Sequence, residues 1–387
     1  MADMTARADG RSEEQQKEGE NVIIKNFLCE RVPVFRELVE LQRKGWENPK
    51  ADEHFAQQRQ RSDNANTRQQ RFFFEMMREI GDELQAAANI IPTTTTTSPQ
   101  DNNNNNIPFR VLDLCMAPGG YTATVLKYSP SAHVCGISLP TRDGGHRMLF
   151  KYNRDDPNVQ VEFRDVTMLA KEFAAPGCPP IPEDHPDRAA FSNDRPFFDD
   201  DDDDDRNNTS SSFDLIFCDG QVLRTHERAS RSSREVTRLA CAQLILALQR
   251  IRPGGTGTVV MLLHRLASRN SLRLLRSFSL FAEDVRLFKS ARKHTDRGSF
   301  YLVAKGVDPR REEARRAVER WKWEWWMATV EGCAAVDESI KVAPESLREE
   351  ESLETVLEEF GEAFIRLGEP VWRIQKEALR RASYMEE

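Results

Sequence analysis

The sequence predicts an α/β protein with a mostly parallel, doubly wound sheet and helical additions at both ends. One observation is the stretch 109–140, FRVLDLCMAPGGYTATVLKYSPSAHVCGISLP, which reads as strand, glycine-rich turn, helix and strand. The other is that apolar runs of strand length alternate with helix-like segments as far as residue 307. Parallel strands need crossover helices between them, so this alternation favours a parallel sheet.

The glycine-rich turn in this stretch is the predicted ligand site. An apolar run that contains Asp113 ends at Ala117-Pro118-Gly119-Gly120, and Tyr121 opens the helix. In such units the ligand lies beyond the carboxyl ends of the strands. Two glycines let the backbone approach a ligand closely, and the amides at the start of the helix add partial positive charge.

The other elements follow from hydrophobic periodicity and turn residues. We expect strands at 159–163, 213–218, 258–263, near 285 and at 299–304, and helices at 235–251 and 270–281. The predicted organisation is a disordered N-terminus at 1–20, N-terminal helices at 21–90, a low-complexity linker at 91–106, the α/β domain at 107–307 and a C-terminal helical extension at 308–387. Within the domain, 176–212 is predicted to be a disordered acidic insertion, because it is rich in Pro, Asp, Asn and Ser.

Composition narrows the class of protein. The net charge is −8, so the chain as a whole is not basic in the way of a dedicated nucleic-acid binder. Its seven cysteines form no C-x-x-C pair, which argues against a disulfide framework or a zinc site and for a reducing compartment. With no signal-peptide pattern and no run of 18 apolar residues, we expect an intracellular protein, cytoplasmic or nuclear, without a membrane partner.

The turn matches neither of the two common nucleotide motifs, G-x-G-x-x-G and G-x-x-x-x-G-K-[ST]. Residues 113–121, DLCMAPGGY, fit D-L-x-x-A-P-G-G-[WYF] instead. That motif resembles the S-adenosylmethionine site of the FtsJ-like ribose methyltransferases, and the resemblance extends over about 72–307. It implies a Rossmann-like methyltransferase core whose final strand runs antiparallel to the rest.

The resemblance also implies which residues hold S-adenosylmethionine. Asp113 and the turn residues Ala117, Pro118, Gly119, Gly120 and Tyr121 would face its methionine and ribose parts, and Asp219 would border the same hollow. Asp165 would accept a hydrogen bond from the adenine amino group, and the Val166 amide would donate to the ring. An Asp after a strand is also often only a helix cap.

Ser138 ends the second strand, where many Rossmann-like methyltransferases carry an acid that holds the ribose hydroxyls. A serine hydroxyl makes one such bond without charge assistance, which is worth about 1 kcal/mol less. We therefore expect cofactor binding to be weak.

Relatives that methylate a ribose 2′-hydroxyl use a Lys-Asp-Lys-Glu set, and this chain matches its aspartate at Asp219, in FCDGQ. The other positions depart from the pattern: Glu75 or Met76 for the first lysine, Met261 for the second, and Ser299 for the glutamate. A methionine cannot accept or relay a proton. The ribose mechanism therefore does not transfer directly.

Three alternatives stay open. His264 could act as base with Arg265 as an electrostatic guide, unless His264 merely caps the strand end. The acceptor could instead be a more nucleophilic small molecule or protein, for which positioning suffices. The domain could also have lost catalysis and kept cofactor or RNA binding.

Charge placement gives a weak indication of an RNA partner. Lys and Arg are frequent at 265–297, and arginines also follow Asp219 within 224–238, so both segments could form a rim that neutralises phosphates. Arginine-rich segments are also common on plain solvated surfaces. In the C-terminal extension, Trp321, Trp325 and Trp326 fall near one helical face, which favours core packing over base stacking.

Overall fold

The computed structural model describes most of the chain outside its low-complexity tracts. The described residues are 2–53, 56, 67–92, 108–153, 156–174, 178–197, 212–223, 226, 234–331, 333, 336, 347 and 351–382. The predicted linker at 91–106 falls almost entirely outside these ranges.

One seven-stranded sheet forms the centre of the molecule. Its strands are β1 (Arg110–Leu114), β2 (His133–Ser138), β3 (Val159–Phe163), β4 (Leu215–Cys218), β5 (Gly257–His264), β6 (Asp284–Phe288) and β7 (Ser299–Val307). Their order across the sheet is β3-β2-β1-β4-β5-β7-β6. The first five are parallel, and β7 runs antiparallel to both β5 and β6. The predicted α/β fold class, with its antiparallel last strand, is confirmed.

Helices cover both faces and both ends of the sheet. They are α1 (Ala2–Arg31), α2 (Pro33–Trp46), α3 (Thr67–Ala88), α4 (Gly120–Tyr128), α5 (Ala170–Phe173), α6 (Glu235–Arg250), α7 (Arg269–Phe281), α8 (Glu312–Thr329) and α9 (Leu353–Arg380). Helix α3 packs on α4, α6 packs on α8, and α2 packs on α9. None of the helices in the described ranges is long and apolar enough to cross a membrane.

The alternation of side chains along each strand divides the core into two layers. Leu112, Ile216 and Met261 point into the layer that contains α6, α7 and α8. Their sequence neighbours, including Phe217 and Val260, point into the other layer, against α3 and α4. A residue's parity on its strand therefore decides whether it can reach the face that α3 and α4 cover.

Two segments predicted to be disordered are partly ordered. Helix α1 includes residues 2–20, whose Glu, Gln and Lys are good helix formers, and the Asn21 Oδ1 just beyond accepts the Arg269 amide at 2.8 Å. Of the stretch 176–212, residues 178–197 pack on the core. His185 is buried with its Nε2 3.1 Å from the Thr329 carbonyl, and Ser192 pairs with Leu169 in a parallel bridge. The acidic run itself lies outside the described residues.

The tryptophans of α8 are core residues, as predicted. Trp321, Trp325 and Trp326 are all at least nine-tenths buried, and the Trp325 indole donates to the Thr167 carbonyl at 3.1 Å. Helix α8 of the C-terminal extension is therefore packed onto the α/β domain, against α6 and α7.

Candidate active site

A cleft of about 1650 Å³ opens at the carboxyl ends of the parallel strands. The predicted site residues that line it are Ala117, Pro118, Tyr121, Ser138, Asp165, Val166, Asp219 and His264. They come from the ends of β1 to β5, which the sheet brings to one edge. Asp113, Gly119, Gly120 and Arg265 lie outside the lining.

Asp165 marks one end of the cleft. Its Oδ1 accepts hydrogen bonds from the Thr167 amide at 2.9 Å and the Thr167 hydroxyl at 2.8 Å, so it caps the short turn at 166–168. Its Oδ2 lies 3.6 Å from His226 Nε2. The cleft lining also contains apolar side chains from the ends of these strands and the loops after them: Ile137, Leu139, Val166 and Val222. An acid beside apolar walls is suited to a flat heterocycle with an amino group.

Ser138 ends β2 at the middle of the cleft. Its hydroxyl accepts a hydrogen bond from the Ala117 amide at 3.2 Å and is nearly fully buried. The serine thus joins the ends of β1 and β2, and its hydroxyl proton is left to be donated elsewhere.

The glycine pair is required by the chain's own packing. Gly119 has φ +95°, and a Cβ there would lie 2.5 Å from Phe150 Cβ. A Cβ on Gly120 would lie 2.4 Å from Met77 Cβ of α3. The sequence argument attributed both glycines to close approach of a ligand, whereas the crowding here comes from other parts of the chain. Contact of either glycine with a cofactor stays a prediction.

Asp113 is buried beneath the turn. Its Oδ2 accepts a hydrogen bond from the Thr122 hydroxyl at 2.7 Å, and its Oδ1 is buried without a hydrogen-bond partner. Burial raises the pKa of Asp113 to about 7, against the opposing effect of the Thr122 hydrogen bonds. The Asp113 carboxyl therefore links β1 to α4 through its hydrogen bond with Thr122. Contact of Asp113 with a cofactor also stays a prediction.

Asp219 lies at the end of a chain of hydroxyl groups. The Tyr121 and Tyr301 hydroxyl oxygens are 2.6 Å apart, and the Tyr301 hydroxyl donates to the Asp219 carboxyl. The Asp219 Oδ1 is buried and has no hydrogen-bond partner. Burial and, to a smaller extent, the charge of Asp113 raise the pKa of Asp219 to about 8, against the opposing effect of the Tyr301 hydrogen bond. Strongly shifted carboxyls in a cleft are frequent at functional sites.

His264 lies at the other end of the cleft. Its Nε2 is 3.0 Å from the Gln221 amide nitrogen, two residues beyond Asp219, and its register partner on β7 is Ser299. Partial burial lowers the pKa of His264, and the cations Arg297, Lys289 and Arg265 lower it further. The ring is therefore neutral at physiological pH, although one side of it stays exposed.

The family's lysine positions hold no cation in this cleft. Met76 lies 3.0 Å from His294 Nε2 through its sulfur. On β5, Met261 points into the opposite core layer, so the residue that faces the cleft is Leu262. The resemblance places the second lysine at Met261, whereas the alternation of side chains along the strand makes the cleft-facing position Leu262, one residue later.

Two site residues were not identified from the sequence. Tyr301 shares a face of β7 with Ser299 because side chains two residues apart on a strand point the same way. The position of Tyr301 two residues after Ser299 could therefore have indicated from the sequence that it faces the site. Gln221 could not be found in this way, because its contact with His264 joins two separate loops at the strand ends.

Few of the predicted rim cations reach the cleft. Arg292, Lys293 and Arg297 line it, whereas Arg269 pairs with Glu20 on α1. Others are enclosed or engaged elsewhere: Lys289 is buried and donates to three carbonyls, Arg238 is 1% exposed, and Arg276 pairs with Glu359. Arginines 224, 228 and 231 lie outside the described residues. The rim is thus smaller than predicted.

A family model described as FtsJ-like methyltransferase matches residues 84–307. The chain belongs to the FtsJ-like methyltransferase family. A search with the sequence matches none of the curated proteins.

Solved structures with a similar arrangement share little sequence with this FtsJ-like methyltransferase. A Plasmodium falciparum protein assigned as a ribosomal RNA methyltransferase is 15% identical, with a TM-score of 0.33, and the match covers 59% of this chain and 96% of the other. An O-methyltransferase family protein from Burkholderia thailandensis is 14% identical, with a TM-score of 0.32, and coverage is 71% and 72%. Human methyltransferase-like protein 13, in complex with S-adenosylhomocysteine, is 10% identical, with a TM-score of 0.31, and coverage is 67% and 96%.

Methyltransferases of this family depend on S-adenosylmethionine, and two features of the cleft suit it. An acid, Asp165, and apolar side chains in the same lining suit an adenine ring. The Asp219 Oδ1, buried and without a partner, suits a ligand that brings a donor or a positive charge. The residues present therefore fit this cofactor.

Proposed function

We propose that this FtsJ-like methyltransferase transfers a methyl group from S-adenosylmethionine to a ribose 2′-hydroxyl of RNA. The observation that carries the proposal is that Asp165 and Asp219 line one cleft. An adenosine held at Asp165 and an acceptor held at Asp219 would then share one space. Its volume of about 1650 Å³ exceeds the roughly 300–1,000 Å³ of a typical small-molecule site, which leaves room for an acceptor as well.

In this proposal the cofactor lies along the ends of β1, β2 and β3. Asp165 accepts from the adenine amino group, the Val166 amide donates to the ring, and Ser138 donates to a ribose hydroxyl. The turn at 117–121, together with Asp113 beneath it, forms the wall beside the methionine part. When bound, the cofactor supplies an electrophilic methyl group on sulfur.

The acceptor hydroxyl is proposed to lie between Asp219 and His264. As the acceptor oxygen takes the methyl group and the carbon–sulfur bond breaks, the hydroxyl proton would pass to the ring nitrogen of His264 that Gln221 does not contact, because the lowered pKa keeps this imidazole neutral and able to accept it. Gln221 holds the imidazole ring, and Asp219, oriented by Tyr301, aligns the hydroxyl. Arg265 lies outside the cleft lining, so its part is limited to the field that it exerts on His264.

RNA is favoured as the acceptor by the cations of the cleft wall. Arg68, Arg164, Arg292, Lys293 and Arg297 all line it. Phosphates are neutralised by such groups, and a chain of net charge −8 attracts them only where cations are concentrated.

The test is transfer of label from tritiated S-adenosylmethionine into RNA. A ribose 2′-O-methyl group blocks alkaline cleavage of the next phosphodiester bond, so the label is expected in alkali-resistant dinucleotides. Asp219→Ala and His264→Ala should each abolish transfer, and Asp143→Ala, an exposed acid elsewhere, should not. Label that reaches only alkali-labile mononucleotides would refute ribose as the acceptor. Label confined to protein or small molecules would refute RNA.

A second candidate is a binding module without catalysis. This candidate is favoured because Met76 and Leu262 stand in the cleft where related ribose methyltransferases carry their two lysines, and neither side chain can accept or donate a proton. Its expected result is S-adenosylhomocysteine binding by calorimetry with no transfer to any fraction. Loss of that binding in Asp165→Ala would still assign the cofactor site.

A further inference from the structure

Two large aromatic side chains are uncovered at the mouth of the cleft. Trp46 at the end of α2 is 76% exposed, and Phe72 on α3 is 57% exposed. Both line the cleft. The other five tryptophans are buried: Trp321, Trp323, Trp325, Trp326 and Trp372. Leaving an indole in water forgoes about 1.5–3 kcal/mol of burial, so these two positions need a reason.

Phe72 belongs to a stripe on α3 that runs from the interior to the surface. The lining residues of this helix are Arg68, Gln69, Phe72, Phe73, Met76, Met77 and Ile80, spaced as one helical face. Ile80 is 3% exposed and Met77 is 7% exposed, because this half packs on α4. Phe72 lies nearer the start of the helix and stays 57% exposed, so its ring adds apolar surface to the cleft without being buried in the core.

Cationic and amide side chains share the cleft lining with the two rings, and one cation lies close to Phe72. Lys293 Nζ lies 5.6 Å from the centre of the Phe72 ring and pairs with Glu79 at 2.9 Å. Arg292 pairs with Glu83 at 2.9 Å. Arg68, Gln42 and Gln69 complete this part of the lining. Exposed ion pairs of this kind are worth about 0–1 kcal/mol, so a phosphate can replace the carboxylate at little cost.

The distance from this surface to the proposed acceptor site follows from helix geometry. Ile80 borders the same small cavity as Tyr301, the residue that contacts Asp219. Phe72 is eight residues earlier on α3, a rise of roughly 12 Å at 1.5 Å per residue. Stacked nucleotides rise about 3.4 Å each, so the rise from Ile80 to Phe72 alone corresponds to roughly three to four nucleotides.

We infer that Trp46 and Phe72 form a stacking platform for unpaired nucleotides of the RNA that carries the acceptor. The inference rests on the proposed function and specifies its substrate as single-stranded. Aromatic rings beside Arg and Lys are the means by which proteins hold single strands without reading sequence. An apolar peptide would not need the cations and amides that share the lining with these rings, and the paired bases of a duplex have no free face to stack on them.

The experiment uses the full chain and a single-stranded 12-nucleotide RNA. Binding is expected to quench the tryptophan fluorescence, because Trp46 is the only strongly exposed indole among the described residues. Trp46→Phe should abolish the quenching and keep the affinity, measured by anisotropy of a labelled RNA, within about threefold. Trp46→Ala and Phe72→Ala should each weaken binding about tenfold or more. Phe163→Ala, another exposed aromatic outside the cleft, should change nothing.

The outcomes separate this inference from the proposed function. RNA methylation with a wild-type KM in Trp46→Ala and Phe72→Ala would overturn the platform and leave the function standing. Binding that depends on Trp46 without any methyl transfer would keep the platform and remove the activity. Acrylamide that fails to quench Trp46 in the RNA-free protein would also overturn the inference, because the indole would then be covered by a second copy or a protein partner.

Discussion

Replacing Asp219 by Asn is expected to stabilise the protein while it removes the proposed activity. On folding, burial and the charge of Asp113 raise the pKa of this carboxyl from 3.8 to about 8. Between these values the folded state holds a proton that the unfolded state releases. The free energy of unfolding therefore falls as the pH rises from about 4 to about 8, and changes no further above that.

The size of the effect follows from the same shift. At pH 7 the part of the shift that counts runs from the unfolded pKa to the solution pH, roughly 3 pKa units. At about 1.4 kcal/mol per unit, it lowers the free energy of unfolding by about 4 kcal/mol relative to its value in acid. Part of the shift belongs to the interaction with Asp113, so we take half, about 2 kcal/mol, as the effect of Asp219 alone. At about 2–4 °C per kcal/mol, Asp219→Asn should raise the Tm by about 4–8 °C at pH 7 and by little at pH 4.

The assay is the Tm of wild type and variant by differential scanning calorimetry from pH 4 to pH 9. Asp308→Asn gives a control of opposite sign. Burial would raise the pKa of Asp308, but the hydrogen bonds from Arg310 outweigh this effect and the pKa is lowered. The ionised carboxylate of Asp308 therefore stabilises the folded protein at neutral pH, and this stabilisation is lost in acid. That variant should lower the Tm at pH 7. An Asp219→Asn variant that melts below wild type at pH 8, or with the same pH dependence, would refute the buried, protonated carboxyl.

Three other substitutions test separate contacts. Tyr301→Phe removes a hydrogen-bond donor to Asp219, which should raise the pKa of that carboxyl and move the midpoint of the pH–rate profile to higher pH. An unchanged midpoint would show that the Tyr301 hydroxyl has no part in the reaction. Gly119→Ala should lower the free energy of unfolding in urea by about 1–3 kcal/mol more than Gly254→Ala, because both have φ near +95° but only Gly119 is crowded, and equal losses would contradict this. Trp325→Ala should lose about 3–5 kcal/mol by the same measurement, and a loss below 1 kcal/mol would argue against a fixed C-terminal extension.

Local patterns in the sequence sufficed for the fold class and for the edge of the sheet that carries the site. Strands of period two, separated by helical segments and glycine-rich turns, leave few arrangements other than a parallel sheet. Once the sheet is parallel, Ser138, Asp165 and Asp219 must lie at one edge, because each follows a strand. These inferences need only neighbouring residues, whose conformational preferences are set within a few positions.

Disorder was overestimated where polar composition was taken as its sign. Residues 2–20 are polar but rich in helix formers, and they form the first part of α1. Helix α1 as a whole contacts α2 and α7. The segment 178–197 contains enough apolar anchors, Ile181 and Phe191 among them, to fold against α8. Composition alone does not reveal whether a surface elsewhere in the chain will receive such a segment.

The contacts that define the chemistry were decided only by tertiary structure. Tyr121 and Tyr301 are 180 residues apart in sequence and share a hydrogen bond because α4 packs on the face of the sheet to which Tyr301 of β7 points. Whether Met261 or Leu262 faces the cleft depends on the register of β5 against β4 and β7. The sequence by itself determined which edge of the sheet carries the predicted site residues, because that follows from local strand and turn patterns. Which side chains meet there, and which aromatic rings stay exposed at its mouth, depended on how distant segments pack, and no local pattern contains that information.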